Sequence, residues 1–256
     1  MSTENVITII ICLLTAYITA RVTVYHYRQE FLKKHSKEDT NKAVELAQYY
    51  ATNIMPQINF VTTVYKNVFP QHLRTKINDA RSKGELKFTS SEYKELFTEE
   101  EISAINNALD LNKLPINLLL EARALVHTTY LDDALFLESE APKQRFGDKF
   151  EEYMQKQLAY EFKYHKRTLL NAFEFFSMYF NTKLAKEDQV YQSLHQTFLA
   201  TMTYLYCDIS ILNVDPKDKF YTNAITLFNA WNKKFNDKTT RQAKSEDELI
   251  ERTQSY

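Results

Sequence analysis

Between residues 156 and 167 the chain alternates aromatic and basic side chains at intervals that fit one face of a helix. Tyr160, Lys163, Tyr164 and Arg167 are spaced i, i+3, i+4 and i+7, and Lys156 extends that face by a turn. Proteins that bind single-stranded nucleic acid combine cations, which attract the phosphates, with rings on which the bases stack. The pattern therefore predicts a surface for single-stranded RNA or DNA, formed by Lys156, Tyr160, Lys163, Tyr164, Lys166 and Arg167.

A second basic segment lies earlier in the chain. Residues 21–83 carry eleven Lys and Arg against five Asp and Glu, whereas residues 85–140 carry four against twelve. Basic residues next to a membrane anchor attract anionic lipid, but residues 66–83 lie far from the N-terminus. A solvated helix face is one interpretation of these residues. The other is a further part of the nucleic-acid surface, formed by Lys66, Arg74, Lys76, Arg81 and Lys83.

The aromatic and polar residues around position 170 have structural interpretations as well. Tyr160 and Tyr164 also fit a buried core whose rim is covered by the stems of Lys and Arg. The apolar stretch 169–180 contains Asn171 and Glu174, and a carboxylate in such surroundings needs a partner or a shifted pKa. We predict a buried polar network of Asn171, Glu174 and His195, with a structural role favoured over a catalytic one.

Signatures of enzymes are scarce. Two glycines, Gly84 and Gly147, are too few for a P-loop or a dinucleotide-binding fingerprint. The histidines show no convincing metal-ligand spacing, and two cysteines make no disulfide framework. The sequence therefore predicts a protein without catalytic residues, metal or cofactor. A helical nuclease stays as an alternative, because some helical ribonucleases use an Arg and a His a few residues apart, as in Arg21/His26 and Arg28/His35.

The N-terminal region has the character of a membrane anchor. Val6 to Ala20 is uncharged, and continuing the helix to residue 27 supplies the length that a bilayer requires. A signal peptide would begin with positive charge, which residues 1–5 lack. The positive-inside rule therefore predicts residues 1–5 outside the cell, a transmembrane helix over 6–27 and a basic juxtamembrane segment over 28–35, with the flanking cations Arg21, Arg28, Lys33 and Lys34 at the cytoplasmic side.

The rest of the chain is punctuated as helices. Thr89 and Thr98 each precede a Glu by three residues, which is the capping-box pattern. No segment alternates with the period of a strand. We predict an all-α fold, with a cytoplasmic helical bundle over 36–235 and a disordered polar tail over 236–256. The expected helices span 36–55, 57–69, 70–82, two short segments after Thr89 and Thr98, a segment after Pro115, then 143–181, 187–212 and 222–235.

This layout resembles the AbiP-like, membrane-anchored phage abortive-infection proteins of lactic acid bacteria. It is also similar to a broad family of uncharacterised membrane-anchored helical bacterial proteins. The similarity lies in the short N-terminus, the single anchor and the helical domain, together with residues 42–61, 169–181 and 190–198. The resemblance implies interference with phage multiplication at the inner membrane surface, with nucleic-acid binding as the activity. It carries no catalytic residues.

Taken together, the sequence predicts a single-pass membrane protein of phage defence that binds single-stranded nucleic acid in the cytoplasm. Its partners would be the lipid bilayer, through residues 6–27, and RNA or DNA. The first alternative is a membrane-tethered module that binds a protein partner or forms a homo-oligomer without nucleic acid. The second is the helical nuclease.

Overall fold

The computed structural model describes Lys34 and residues 37–111, 113–124 and 149–254, with side chains described as far as residue 239. All regular secondary structure within these ranges is helical, which confirms the all-α prediction. The elements are α1 (37–49), a π-helical turn (Tyr50–Ile54), α2 (Met55–Val68), α3 (Gln71–Ser82), α4 (Ser90–Leu96), α5 (Glu99–Ala108), α6 (Ile116–Ala124), α7 (Phe150–Asn181), α8 (Asp188–Tyr204), α9 (Tyr206–Leu212) and α10 (Thr222–Gln254).

The first helical segment continues past Pro56, where the sequence predicted a break. A π-helical turn precedes the proline, and the Met55 amide donates to the Tyr50 carbonyl five residues back. Proline has no N–H and normally clashes with the preceding turn, and the wider turn relieves both problems. Thr52 helps by donating its hydroxyl to the Gln48 carbonyl at 2.9 Å.

Two short helices begin at the threonines that the sequence marked. Thr98 and Glu101 form a complete capping box at the start of α5, each side chain bonding the other's backbone N–H. Thr89 accepts a hydrogen bond from the Glu92 amide at the start of α4. These caps satisfy backbone N–H groups that have no partner inside the helix. Both predicted helix starts are confirmed.

The core is built around α7, which packs on α2, α6 and α10. Its second half buries Phe173, Phe176 and Phe180. The Phe176 ring lies 6.3 Å from Trp231 of α10 and 5.1 Å from Tyr50 of the π-helical turn, in edge-on and tilted arrangements. Such ring pairs add favourable geometry to a large buried apolar area. The aromatic cluster thus joins the π-helical turn, α7 and α10.

The last helix is longer than expected. It reaches Gln254, whereas the sequence predicted an end at Phe235 and a disordered tail over 236–256. Residues 236–254 are rich in Lys, Arg, Glu and Gln, which are strong helix formers. The earlier part of α10 packs on α7, so the helix is already nucleated there. Its extension through residues 236–254 therefore requires no new nucleation. The predicted helix end at Phe235 is therefore wrong.

No helix in the described ranges is both long and apolar enough to cross a bilayer. The predicted span 6–27 and the N-terminal residues 1–5 lie outside those ranges. The same holds for the flanking residues Arg21, Arg28 and Lys33 and for both Arg–His pairs. Lys34 is described and is exposed.

Candidate nucleic-acid interface

The first half of α7 presents two tyrosine rings to solvent. Tyr160 is 70 % exposed and Tyr164 is 59 % exposed. Lys163 and Arg167, on the same side of the helix, are exposed too. The alternative in which these rings belong to the core is therefore wrong. We call Tyr160, Lys163, Tyr164 and Arg167 the α7 face.

The opposite side of α7 explains why this face points outward. Leu158, Phe162 and Leu169 are buried there. The Phe162 ring lies 5.8 Å from Phe60 of α2. A helix with one apolar stripe buries that stripe and leaves its other residues in water. Tyr160 and Tyr164 fall outside the stripe by their position in the helical turn.

Among the residues that the structure describes, no carboxylate pairs with the two cations of the α7 face. Neither Lys163 nor Arg167 forms an ion pair within the described part of the chain. Lys156, one turn earlier, is exposed but pairs with Glu152 at 2.5 Å. Exposed cations without partners attract a polyanion most strongly, because they neutralise phosphates without first losing a bond. Lys156 contributes less than the sequence predicted.

Lys166 does not lie on the α7 face. Its Nζ atom is 2.5 Å from an oxygen of Asp208 on α9, and the two side chains are 20 % and 15 % exposed. The Tyr65 hydroxyl donates to the other oxygen of the same carboxylate. Burial raises the pKa of Tyr65 well above its ordinary value, and the Asp208 charge adds to this rise. Lys166 thus joins α7 to α2 and α9 instead of binding a ligand.

The loop before α10 also carries an exposed aromatic ring, which the sequence did not reveal. Burial raises the pKa of Tyr221, and the positive charge of Arg167 opposes that rise, so the two groups interact. Phe220 beside it is 57 % exposed, and its ring lies 6.4 Å from that of Tyr221. Its backbone amide donates to Asn213 at 2.7 Å, which fixes the loop before α10. Only the tertiary fold brings this loop, more than fifty residues later in the chain, near Arg167.

The second basic segment does not form one face. Lys66 of α2 and Lys83 after α3 are exposed, while Lys76 pairs with Glu101 at 2.7 Å. Arg74 and Arg81 instead line a cavity between α3 and α8. Residues 74 and 81 are seven apart and share one side of α3, whereas 76 and 83 share another. The five cations therefore lie in at least three different environments: Lys66 and Lys83 are exposed, Lys76 pairs with a carboxylate, and Arg74 and Arg81 line the cavity.

No family model, curated protein or solved structure matches the chain. Its site is defined by geometry and chemistry alone.

The predicted network of Asn171, Glu174 and His195 is not formed. Asn171 is exposed, and His195 bonds its Nδ1 to the Tyr191 carbonyl at 2.6 Å. Glu174 instead accepts three hydrogen bonds at the start of α10, from the backbone and side-chain amides of Asn223 and from the Ala224 amide. A carboxylate is favoured at a helix N-terminus, where backbone N–H groups are unpaired. Glu174 thus has a structural role, but its partners come from another helix.

Proposed function

We propose that this chain is a membrane-anchored phage-defence protein that binds single-stranded nucleic acid on the α7 face. The observation that carries the proposal is the exposure of Tyr160 and Tyr164 beside Lys163 and Arg167, which form no ion pair with any residue in the described ranges. The exposure of large rings is informative when they lie among cations on one side of a helix.

The chemistry of the α7 face favours single strands over duplexes. Tyr160 and Tyr164 are one helical turn apart, about 6 Å along the axis, so two rings are offered in succession. Stacking on an aromatic side chain contributes about 1–3 kcal/mol per base. The bases of a duplex present only their edges in the grooves and are already stacked on each other. A single strand has both its base faces and its phosphates free.

The cellular setting in this proposal rests on the sequence. The uncharged stretch over 6–20 and the cations that follow it support a single anchor with the helical domain in the cytoplasm. The layout resembles membrane-anchored abortive-infection proteins, which supports a role against phage. An α7 face held near the inner membrane surface would capture phage RNA or single-stranded DNA without cleaving it.

A binding assay with a charge-reversed α7 face tests the proposal. The full chain, purified in detergent, is titrated against labelled single-stranded RNA, single-stranded DNA and duplex across a salt series. With Lys163 and Arg167 each meeting a phosphate, log affinity should fall with log salt with a slope of about −1.4. Lys163→Glu with Arg167→Glu should weaken binding about tenfold or more and flatten that slope.

The matched control reverses two charges elsewhere. Lys94 of α4 and Lys233 of α10 are exposed, so Lys94→Glu with Lys233→Glu changes net charge equally without touching the α7 face. This control should keep most of the affinity. Equal losses in both double variants would show a nonspecific charge effect, and undiminished binding by the α7 variant would exclude the face. Shortened oligonucleotides in the same mixtures would favour the nuclease.

One observation favours the protein-interaction alternative. Four large apolar side chains at the end of α9 and in the loop after it are 44–74 % exposed: Ile211, Leu212, Val214 and Phe220. Exposed apolar patches often mark contacts between proteins. Chemical crosslinking of the full chain without nucleic acid should then give an oligomer or a captured partner, and Val214→Asp with Phe220→Asp should abolish it. A monomer under all conditions would remove this alternative.

A further inference from the structure

A cavity of about 380 Å³ lies between α3 and the end of α8. Phe69, Tyr204 and Thr203 form part of its wall, and Arg74 and Arg81 face them from α3. Its size falls in the range of sites for small organic ligands, about 300–1,000 Å³. It is separate from the α7 face, since none of that face's residues lines it.

The charge of the cavity wall is unbalanced. The lining residues within the described part of the chain include two arginines and no carboxylate. Neither Arg74 nor Arg81 forms an ion pair there, and the Nε atom of Arg74 is buried without a hydrogen-bond partner. Both side chains are half-buried, and burial lowers the pKa of Arg81, as expected for a partly desolvated cation. A bound anion would offset the cost of that partial desolvation.

The arrangement of the two arginines suits a phosphate. They lie two helical turns apart on one side of α3, about 10 Å along the axis, and their long side chains can converge. Guanidinium groups bind phosphate oxygens in pairs of parallel hydrogen bonds. Between and beside them, Asn78, Thr75 and Gln71 supply further polar atoms, and Tyr204 offers a ring to an organic group. The site thus combines an anion-binding wall with an apolar and aromatic one.

We infer that this cavity binds a phosphate-bearing small molecule of mononucleotide size, with Arg74 and Arg81 on the phosphate and Tyr204 against the organic part. The inference is independent of the α7 face. A chain that binds no oligonucleotide can still bind this ligand, and the reverse also holds.

Calorimetric titration of the full chain with AMP, adenosine and inorganic phosphate tests the inference. AMP should bind with one molecule per chain and raise the midpoint of thermal unfolding, and both adenosine and phosphate should bind at least tenfold more weakly. Arg74→Gln and Arg81→Gln should each weaken AMP binding about tenfold or more. Lys83→Gln, which removes an exposed charge just after the same helix, should change it less than twofold.

Several outcomes would overturn the inference. AMP that fails to bind the wild-type chain, or that binds equally to the arginine variants, excludes the site. Phosphate that binds as well as AMP excludes the contribution of the organic part. AMP binding that is lost together with the α7 charge reversal but kept in the arginine variants would place the ligand on the α7 face.

A second variant separates ligand binding from a structural role. Arg81→Met removes a desolvated cation while keeping a long side chain, so without ligand it should raise the midpoint of unfolding and with AMP it should show no further rise. A lowered midpoint together with intact AMP binding would mean that Arg81 supports the fold and not the ligand. Arg81→Lys keeps the charge but loses the paired hydrogen bonds, and it should bind AMP more weakly than the wild type.

Discussion

The two halves of α7 carry the same number of aromatic rings and use them in opposite ways. Residues 150–167 and 168–181 each contain five Phe or Tyr rings. In the first half three are well exposed, namely Tyr153, Tyr160 and Tyr164, whereas in the second half Phe175 alone is. Aromatic content therefore does not decide which part of a helix is core.

Register and residue type account for the difference. Phe173, Phe176 and Phe180 follow the helical period on the side that meets Trp231 and Phe198. Tyr160 and Tyr164 lie on the outer side of the first half and are 70 % and 59 % exposed. Cations are interleaved with the exposed rings and missing from the buried stretch. A tyrosine ring, which has a polar hydroxyl, is suited to a solvent-exposed surface with charged neighbours.

The largest effect on this contrast is expected from Phe176→Ala. Phe176 is fully buried and contacts rings of the π-helical turn, α8 and α10. Its loss should lower the free energy of unfolding by about 3–5 kcal/mol, because a large cavity remains in the core. Urea denaturation followed by circular dichroism measures this. A loss no greater than that of Tyr164→Ala would abolish the distinction between the two halves.

Removing Glu174 should have the next largest effect. Glu174→Ala leaves the first amides of α10 without their acceptor, and we expect a loss of about 2 kcal/mol in the free energy of unfolding. Glu174→Gln keeps one oxygen acceptor and should lose less. Oligonucleotide binding by the folded Gln variant should equal that of the wild type. A selective loss of binding there would give this residue a functional role.

Tyr164→Ala should weaken nucleic-acid binding with little effect on stability, whereas Phe176→Ala mainly lowers stability. The free energy of unfolding should change by no more than about 0.5 kcal/mol, since the ring is on the surface. Affinity for a single-stranded oligonucleotide should fall roughly fivefold, which corresponds to about 1 kcal/mol for a ring that stacks on one side only. Tyr164→Phe retains the stacking surface and serves as the control. Fluorescence anisotropy measures both variants, and equal affinities for Ala and Phe would contradict a stacking role.

The smallest expected effect comes from freeing Lys156. Glu152→Gln removes its ion-pair partner and should raise affinity for single strands about twofold by adding one available cation. The hydrogen bond from Lys156 lowers the pKa of Glu152, so the carboxylate is ionised at neutral pH. The advantage of the variant should hold from pH 6 to 8 and disappear only as the pH falls through that lowered pKa. Equal affinities of the wild type and the variant at pH 7 would show that breaking the ion pair between Lys156 and Glu152 costs no free energy.

Local features of the fold were predictable from the sequence, and contacts between distant segments were not. The start of α5 depends on Thr98 and Glu101, which lie within one helical turn, and the sequence identified it. Lys166 lies in the same basic and aromatic segment but outside its i, i+3, i+4, i+7 spacing, and the sequence could not show its partner Asp208, 42 residues later. Periodicity placed Tyr160 and Tyr164 on one side of a helix without showing whether that side meets water. The sequence identified Arg74 and Arg81 as cations. It did not reveal the cavity, because the wall that faces them belongs to α8, which is distant in the chain.

The ion pair between Lys166 and Asp208 has a consequence for how a strand would assemble on this protein. Because it links α7 to α9, and Tyr65 of α2 bonds the same carboxylate, the ion pair opposes rotation of α7 about its axis. On the proposed function, most of the conformational entropy lost on binding would then be that of the flexible polymer. From Lys156 to Arg167 the platform is only about 17 Å long. On the proposed function, a long single strand would span this surface many times over, and neighbouring membrane-anchored copies would bind the same strand side by side, with a gain in avidity over one copy alone.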